Sequence, residues 1–215
     1  GYMHTSIPPL PLEYIKKNCE PDLLLVNGSS QKEILVNRLG WVSNKVKSIP
    51  SMRYNIITNF KMSKKIFLPY YIEDESKFFE LFKYLINSKP KFFFPQLEIK
   101  NHPSMGNSKN HLRLIKKINF FLRDKKNFFK TTLSNNKISI FFGSTASVLE
   151  GLERKLRVFH ICGNNIFEKF DNFYWKKIKI KIIHKNIFEY KISKKGSFIR
   201  FGNEKNTLNT LKAYF

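Results

Sequence analysis

Small hydroxyl residues follow a glycine directly after an apolar run in the middle of the chain. The segment 137–152 reads Lys-Ile-Ser-Ile-Phe-Phe-Gly-Ser-Thr-Ala-Ser-Val-Leu-Glu-Gly-Leu. β-Forming residues up to Phe142, helical spacing from Val148 and a second run at Arg157–Ile161 predict a strand–turn–helix–strand unit of a parallel sheet. Gly143 would let a ligand approach the backbone, and hydroxyls beside unpaired helix N–H groups can hold a phosphate. Ser144 and its neighbours are also ordinary helix caps, and the pattern alone leaves both interpretations equally open.

A histidine lies at the end of another predicted strand. The run Phe92–Lys100 is aromatic and then alternating, and it continues directly into Asn101, His102 and Pro103. Ligands of open α/β sheets bind outside the carboxyl ends of the strands. We therefore expect His102 and Ser144 to lie at one edge of a parallel sheet, close enough to contact one phosphate. A lone histidine is otherwise most often structural.

The composition is strongly basic. The chain has 215 residues, with 39 Lys and Arg against 16 Asp and Glu, a formal net charge of +23. This balance suggests anionic partners such as nucleic acid, a membrane surface or phosphorylated substrates. However, Lys, Asn, Ile and Phe are all abundant, and A/T-rich codons specify all four. Because the lysines are dispersed and Arg clusters are lacking, nucleic-acid binding is the less favoured reading.

The cysteines and the hydropathy of the sequence indicate the cellular compartment. Cys19 and Cys162 are far apart and show no metal-ligand spacing, so neither a disulfide framework nor a zinc site is indicated. The sequence contains no apolar run long enough to span a bilayer. A reducing cytoplasm is the simplest expectation.

The other elements suggest one α/β domain over residues 21–200, preceded by an extended cleft segment over 1–20 and followed by a C-terminal helix over 201–215. A strand at Asp22–Val26 and a helix at Gln31–Leu39 flank Gly28, which makes a second strand–glycine–serine–helix unit. Further predicted elements are a strand at Lys65–Tyr71, a helix that begins near Glu73, a basic helix at His111–Arg123, a connection at Ser51–Ser63 and an edge strand at Lys176–Ile183. The lysine face of that edge strand either prevents edge-to-edge aggregation or rests on anionic lipid.

The His102-Pro103 motif and the segment Phe142–Leu152 resemble bacterial GT-B glycosyltransferases of surface-polysaccharide assembly. The likeness is greatest to enzymes that use CMP-activated acidic sugars, the sialyltransferase and Kdo-transferase types. The segments 4–9 and 21–28 share it, although Gly-Ser-Thr at 143–145 replaces the Ser-Ser pair of several sialyltransferases. The resemblance implies a Rossmann-like nucleotide-sugar-binding domain, the C-terminal half of an enzyme whose upstream domain binds the acceptor and supplies the base.

The resemblance also implies roles for residues. His102 would contact the donor phosphate and act in catalysis by helping the nucleotide leave. Pro103 and Glu150 would bind the nucleotide, Glu150 through the ribose, and His4 could line the cleft. The donor phosphate would also be held by Gly143, Ser144, Thr145 and Ser147.

Several motifs are absent from the sequence, which reduces the range of reactions that we expect. The chain has no Asp-x-Asp, Gly-x-Gly-x-x-Gly or P-loop pattern, so we expect a metal-independent transferase without a cofactor. Its partners would be the nucleotide-sugar donor, a glycan or lipid-linked acceptor and an anionic membrane surface, at the inner face of the cytoplasmic membrane. Alternatives are a UDP-sugar transferase, a glycerophosphotransferase, a nucleotide-sugar epimerase of the same fold, and a basic nucleic-acid-binding module.

Overall fold

The computed structural model describes residues 1–3, 20–55, 62–89, 97–102, 108–125, 137–192 and 198–214. It is an α/β structure with one large mixed sheet and two small parallel sheets. The strands are β1 (Tyr2–Met3), β2 (Leu24–Val26), β3 (Val46–Ser48), β4 (Ser51–Asn55), β5 (Lys65–Phe67), β6 (Glu98–Lys100), β7 (Ile138–Phe142), β8 (Arg157–Ile161), β9 (Ile178–His184), β10 (Ile187–Ile192) and β11 (Phe201–Gly202). The helices are α1 (Ser29–Arg38), α2 (Glu75–Ser88), α3 (Lys109–Lys125), α4 (Ser147–Glu153), α5 (Asn165–Glu168) and α6 (Glu204–Lys212).

The large sheet has six strands in the order β6-β5-β7-β8-β10-β9. The first four are mutually parallel, and β10 and β9 form an antiparallel hairpin at the far edge. Parallel strands are buried on both faces, which explains why all five residues of β7 are buried. On the exposed edge strand β9, Lys179 and Lys181 project outwards, as the alternating sequence predicts.

Helices cover both faces of this sheet. The strand pleat sends Ile140 and Phe142 to one face, where they pack with apolar residues of α2 and α3. It sends Phe141 to the other face, where Val148 and Leu152 of α4 cover it. Helix α2 therefore leaves β5 on one side of the sheet, whereas α4 leaves β7 on the opposite side.

The remaining strands form a separate layer. Strands β1, β2 and β3 make a parallel sheet that packs on α1 through Met3, Val26 and Leu35. Strand β4 pairs with β11 over Ser51 and Asn55, so the expected connection over Ser51–Ser63 begins with a strand instead. This pairing joins segments about 150 residues apart, which local sequence cannot indicate.

Most predicted elements occur at or near the expected places. Strand β8 has the predicted bounds, and α3 extends the predicted basic helix by two residues at each end. Asp74 caps α2 by accepting a hydrogen bond from the Lys77 N–H at 2.9 Å, as an acidic group at a helix N-terminus should. The first part of the predicted strand Phe92–Lys100 lies outside the described residues.

Candidate functional site

The carboxyl ends of β5 and β7 form a topological switch point. These strands are neighbours, but the chain runs from β5 to β6 on one side and from β7 to β8 on the other. Because α2 and α4 also leave on opposite faces of the sheet, a crevice opens between the two strand ends. Ligands of open α/β sheets bind in such a crevice.

Gly143 begins the turn at the end of β7. Its φ is +61°, in the left-handed region that glycine adopts without strain. A Cβ atom at this position would lie 3.0 Å from Cβ and Cγ of Pro69, which follows β5. The close approach that this glycine permits is therefore made by Pro69. The Gly143 N–H donates to the Ile161 carbonyl at 2.9 Å, so Gly143 shapes the turn and its N–H is already paired.

The hydroxyl residues of this turn have different environments. Ser144 is exposed, whereas Thr145 and Ser147 are half-buried. The Thr145 Oγ1 accepts a hydrogen bond from the Ser147 N–H at 3.2 Å, and α4 begins only at Ser147. The expectation that Ser144 caps the helix is therefore wrong, because the turn is longer than the glycine–serine pattern suggests.

Unpaired donors remain in this turn. Within the part of the chain that the structure describes, the backbone N–H groups of Ser144 and Thr145 make no hydrogen bond, and neither does the Ser144 hydroxyl. Exposed N–H groups that follow a left-handed residue are typical of backbone anion sites. The turn thus presents donors at the crevice without a protein acceptor.

His102 lies at the same edge of the sheet. It follows β6, which is separated from β7 by β5 alone, so the two strand ends are about 10 Å apart. One phosphate can contact both His102 and Ser144 only if it lies above the end of β5. The edge of the His102 ring meets the ring of Tyr70, which follows β5, with centroids 5.2 Å apart.

The electrostatic surroundings of His102 are basic. Partial burial lowers its pKa from the ordinary value, and the nearby charges of Arg53 and His111 lower it further. A negative charge beside the imidazole would raise that pKa again and favour the protonated form. Pro103 and His4, the other predicted contacts, lie outside the described residues.

Arg53 was not predicted as a site residue. It lies on β4, it is exposed, and its guanidinium carbon lies 5.5 Å from the ring centroid of Tyr54. Its position near His102 depends on the pairing of β4 with β11, so no local signal could have identified it. Arg53 supplies a permanent positive charge at this edge of the sheet.

Glu150 lies on α4 behind the turn. Its Oε1 accepts hydrogen bonds from Arg154 Nε at 2.9 Å and from Arg154 NH2 at 2.8 Å. The Glu150 side chain is 12% exposed. Burial raises the pKa of the nearby Tyr54 hydroxyl to about 12, and the charge of Glu150 contributes to this increase. Arg154 thus fixes the orientation of the Glu150 carboxylate.

A cavity of about 370 Å³ lies beside the Gly143 turn. The Phe78 ring lies between the turn and the cavity. Its Cζ would be 3.6 Å from a Cβ built on Gly143 and 3.1 Å from a Cβ built on Gly163, which lines the cavity. The lining includes the carboxylates of Glu73, Asp74 and Glu168 and the ammonium of Lys77. Glu73 and Asp74 have the sequence position of acids at a helix N-terminus, and no sequence pattern indicated Glu168, because local sequence does not show that the ends of β5 and β8 lie beside one cavity.

The same cavity has a partly buried acid. Glu168 Oε2 accepts a hydrogen bond from the Gly163 N–H at 2.6 Å, and Lys77 Nζ donates to the Gly163 carbonyl at 2.7 Å. Burial raises the pKa of Glu168, although its backbone hydrogen bonds oppose this. Among the described residues, no group of three or more His, Cys, Asp or Glu could hold a metal ion.

None of the described helices is long and apolar enough to cross a bilayer. Comparison of the chain with protein-family models, curated proteins and solved structures finds no significant match. A function therefore has to be inferred from the crevice and its residues.

Proposed function

We propose that the chain is the donor-binding part of a metal-independent GT-B glycosyltransferase. It would transfer a sugar from a nucleotide-activated donor, with CMP as the first candidate nucleotide, to a bacterial surface glycan. One observation carries this proposal: the unpaired donors of the Ser144–Thr145 turn lie at the switch point of the sheet, at the same edge as His102. The His102-Pro103 and 142–152 motifs supply the link to glycosyl transfer.

The proposed chemistry requires stabilisation of a departing phosphate. Negative charge grows on the phosphate as the glycosidic bond breaks, and prearranged donors stabilise that charge most strongly in the transition state. The N–H groups of Ser144 and Thr145 and the Ser144 hydroxyl would contact it. A phosphate bound beside His102 would raise its pKa and favour the protonated form, which attracts the departing anion.

Two further residues support a nucleotide in this crevice. Arg53 adds a permanent charge near His102. The Glu150 carboxylate, held by Arg154, lies one turn into α4 and would accept hydrogen bonds from ribose hydroxyls. No protein metal ligand is needed for these contacts, so we expect EDTA to leave donor binding unchanged in calorimetry; a strict requirement for Mg²⁺ or Mn²⁺ would contradict this.

A second candidate function is transfer from a UDP-sugar. The observation that favours it is the acidic lining of the cavity beside the turn, where Glu73, Asp74 and Glu168 outnumber Lys77. These carboxylates would accept hydrogen bonds from sugar hydroxyls but would repel the carboxylate of sialic acid or Kdo. A neutral or amino sugar fits this lining better than an acidic one.

The acceptor would be a glycan or a lipid-linked glycan at the inner face of the cytoplasmic membrane. The exposed lysines of β9 support contact with an anionic surface, since each basic residue near such a surface contributes about 1 kcal/mol. The catalytic base would come from the acceptor-binding domain that the GT-B resemblance places upstream.

A thermal-shift and calorimetric screen with CMP, UDP, GDP and CDP-glycerol tests the proposal. Saturable binding of CMP is expected, UDP binding alone would favour the second candidate, and CDP-glycerol binding alone would favour a glycerophosphotransferase. Binding of DNA or RNA with a steep salt dependence, and of no nucleotide, would instead support a nucleic-acid-binding module.

A further inference from the structure

Strand β8 holds Gly143 through both of its backbone polar groups. The Gly143 N–H donates to the Ile161 carbonyl at 2.9 Å, and Nε2 of His160 lies 2.7 Å from the Gly143 carbonyl oxygen. His160 is fully buried within the sheet. The residue that fixes the start of the turn is therefore a histidine that no solvent or ligand reaches in this structure.

The hydrogen bonds of His160 determine its tautomer. A carbonyl oxygen only accepts, so His160 Nε2 must carry the proton. The Nδ1 atom is then an acceptor, and the Tyr190 hydroxyl lies 3.3 Å from it. The same hydroxyl accepts a hydrogen bond from the Phe170 N–H at 3.1 Å, which leaves its own proton directed to His160.

Burial keeps His160 and the two groups beside its Nδ1 atom uncharged. Burial lowers the pKa of His160 to about 4, although the hydrogen bond to Gly143 opposes this. Burial also raises the pKa of Tyr190 and that of Cys162, whose Sγ lies 3.5 Å from His160 Nδ1. Both therefore stay protonated near neutral pH, and the Tyr190 hydroxyl is the donor to the single lone pair of Nδ1.

The opposite wall of the crevice is held in the same way. His111 Nε2 lies 2.8 Å from the Pro69 carbonyl oxygen, and Pro69 is the residue that packs on Gly143. His111 is 1% exposed. Two buried imidazoles thus contact the carbonyl groups of Gly143 and Pro69, the two residues that pack on each other here.

We propose that His160 is a positioning residue for the phosphate-binding turn, with Tyr190 holding it in the tautomer that binds the Gly143 carbonyl. The proposal rests on the proposed function, because it assumes that the turn binds the donor phosphate. The planar peptide that carries the Gly143 carbonyl also carries the Ser144 N–H, so the orientation of that carbonyl sets the direction of the Ser144 N–H. If His160 is lost, the peptide can rotate and the donors no longer converge on one anion.

The ligand-free test is NMR spectroscopy of labelled wild-type protein and of His160→Leu, His160→Gln and Tyr190→Phe variants. We expect the wild-type His160 ring to keep its Nε2 proton between about pH 5 and about pH 8. The Gly143 carbonyl carbon should shift in His160→Leu and return towards the wild-type value in His160→Gln, because a glutamine amide can donate to the same oxygen. A Gly143 carbonyl that does not respond in the folded variants would overturn the proposal.

The ligand test is calorimetric titration of the same variants with CMP. His160→Leu should weaken CMP binding by about ten-fold or more, and His160→Gln should restore it to within about three-fold of wild type. Cys162→Ala is the matched control, because Cys162 contacts the same ring but does not hold Gly143; its CMP affinity should stay within about two-fold of wild type.

The two arms separate the possible failures. If wild-type protein binds none of the nucleotides, the proposed function fails while the NMR result still decides whether His160 holds the turn. If CMP binds and His160→Leu shifts the Gly143 carbonyl without weakening binding, the positioning role is wrong. If His160→Leu does not fold, Tyr190→Phe tests the proposal, because it keeps the His160 ring but removes the hydroxyl that fixes its tautomer. Unchanged His160 nitrogen shifts together with unchanged CMP affinity in Tyr190→Phe would then overturn the proposal.

Discussion

Two segments of this protein have the same local sequence plan and different structures. In each, a buried strand is followed by a glycine, hydroxyl residues and a helix: Asn27–Ser30 after β2, and Gly143–Ser147 after β7. At the first, α1 begins at Ser29, directly after Gly28. At the second, α4 begins only at Ser147, four positions after Gly143.

The first segment is closed by its own hydrogen bonds. The buried Asn27 side chain accepts from the Tyr2 hydroxyl at 2.7 Å and donates to the Met3 carbonyl at 3.2 Å. Its backbone N–H donates to Gln31 Oε1 at 2.9 Å, and its carbonyl accepts from the Arg200 N–H at 2.6 Å. The Asn27 polar groups are thus used to join three parts of the chain.

The second segment instead leaves donors without a partner among the described residues. His160 and Ile161 hold the Gly143 peptide, but Ser144 is exposed and its hydroxyl has no partner among the described residues. The difference teaches that a strand–glycine–serine–helix pattern does not by itself identify a binding turn. The two segments differ in that Asn27, the residue before Gly28, is bonded to three parts of the chain and α1 begins at once, whereas α4 begins four positions after Gly143.

The largest expected difference between the two segments is in their glycines. Gly143→Ala places a Cβ on a left-handed residue and against Pro69, so it should lower the free energy of unfolding by about 2–5 kcal/mol. Gly28 has a φ of −159°, which any residue adopts, so Gly28→Ala should cost less than about 1 kcal/mol. Urea unfolding of both variants measures this, and equal losses would show that the two turns are equivalent.

The second expected difference between the two segments is how strongly their contribution to stability depends on pH. Because the folded protein lowers the pKa of His160 to about 4, the unfolded chain binds more protons between pH 6.5 and pH 4. This contribution to stability is complete above about pH 6.5 and is lost as the pH falls, by on the order of 3 kcal/mol in total. The Asn27 carbonyl is held by a backbone N–H, which does not titrate in this range.

His160→Gln isolates that contribution. The difference between the unfolding free energies of wild type and variant should shrink as the pH falls from 7 to about 4.5. A difference that stays constant over this range would mean that His160 is not buried in its neutral form.

A smaller difference concerns the hydroxyl residues near the starts of the two helices. Thr145→Val removes the acceptor of the Ser147 N–H and should lower the free energy of unfolding by about 1 kcal/mol. Helix α1 has no side-chain cap, so Ser29→Ala should change stability by less than about 0.5 kcal/mol. Thermal or urea unfolding of the two variants measures these changes. A larger loss of stability in Ser29→Ala than in Thr145→Val would contradict this expectation.

Local sequence predicted the parts of the fold that depend on periodicity. The bounds of β8 and the helical spacing in α2, α3 and α4 follow from apolar repeats, and the carboxyl-edge placement of His102 and Ser144 follows from strand order. These features require only that strands alternate with helices in a parallel sheet.

Long-range pairing could not be predicted in the same way. Arg53 comes near His102 because β4 pairs with β11, and His160 reaches Gly143 because β7 pairs with β8 in one register. Ser144 was expected to cap α4, but a left-handed glycine packed on Pro69 delays the helix to Ser147. In each case a contact between distant segments decides the role of a residue.

The most direct test of the central claim is calorimetric titration of CMP into wild type, Ser144→Ala and Ser29→Ala. If the Ser144 turn holds the donor phosphate, Ser144→Ala should lose a charge-assisted hydrogen bond and weaken binding by about 1.5–3 kcal/mol. Its stability should change by less than about 0.5 kcal/mol, because Ser144 is exposed and caps no helix. Ser29→Ala should bind CMP like wild type. Equal CMP affinity in all three proteins, or no CMP binding by wild type, would contradict the claim that this turn is the donor site.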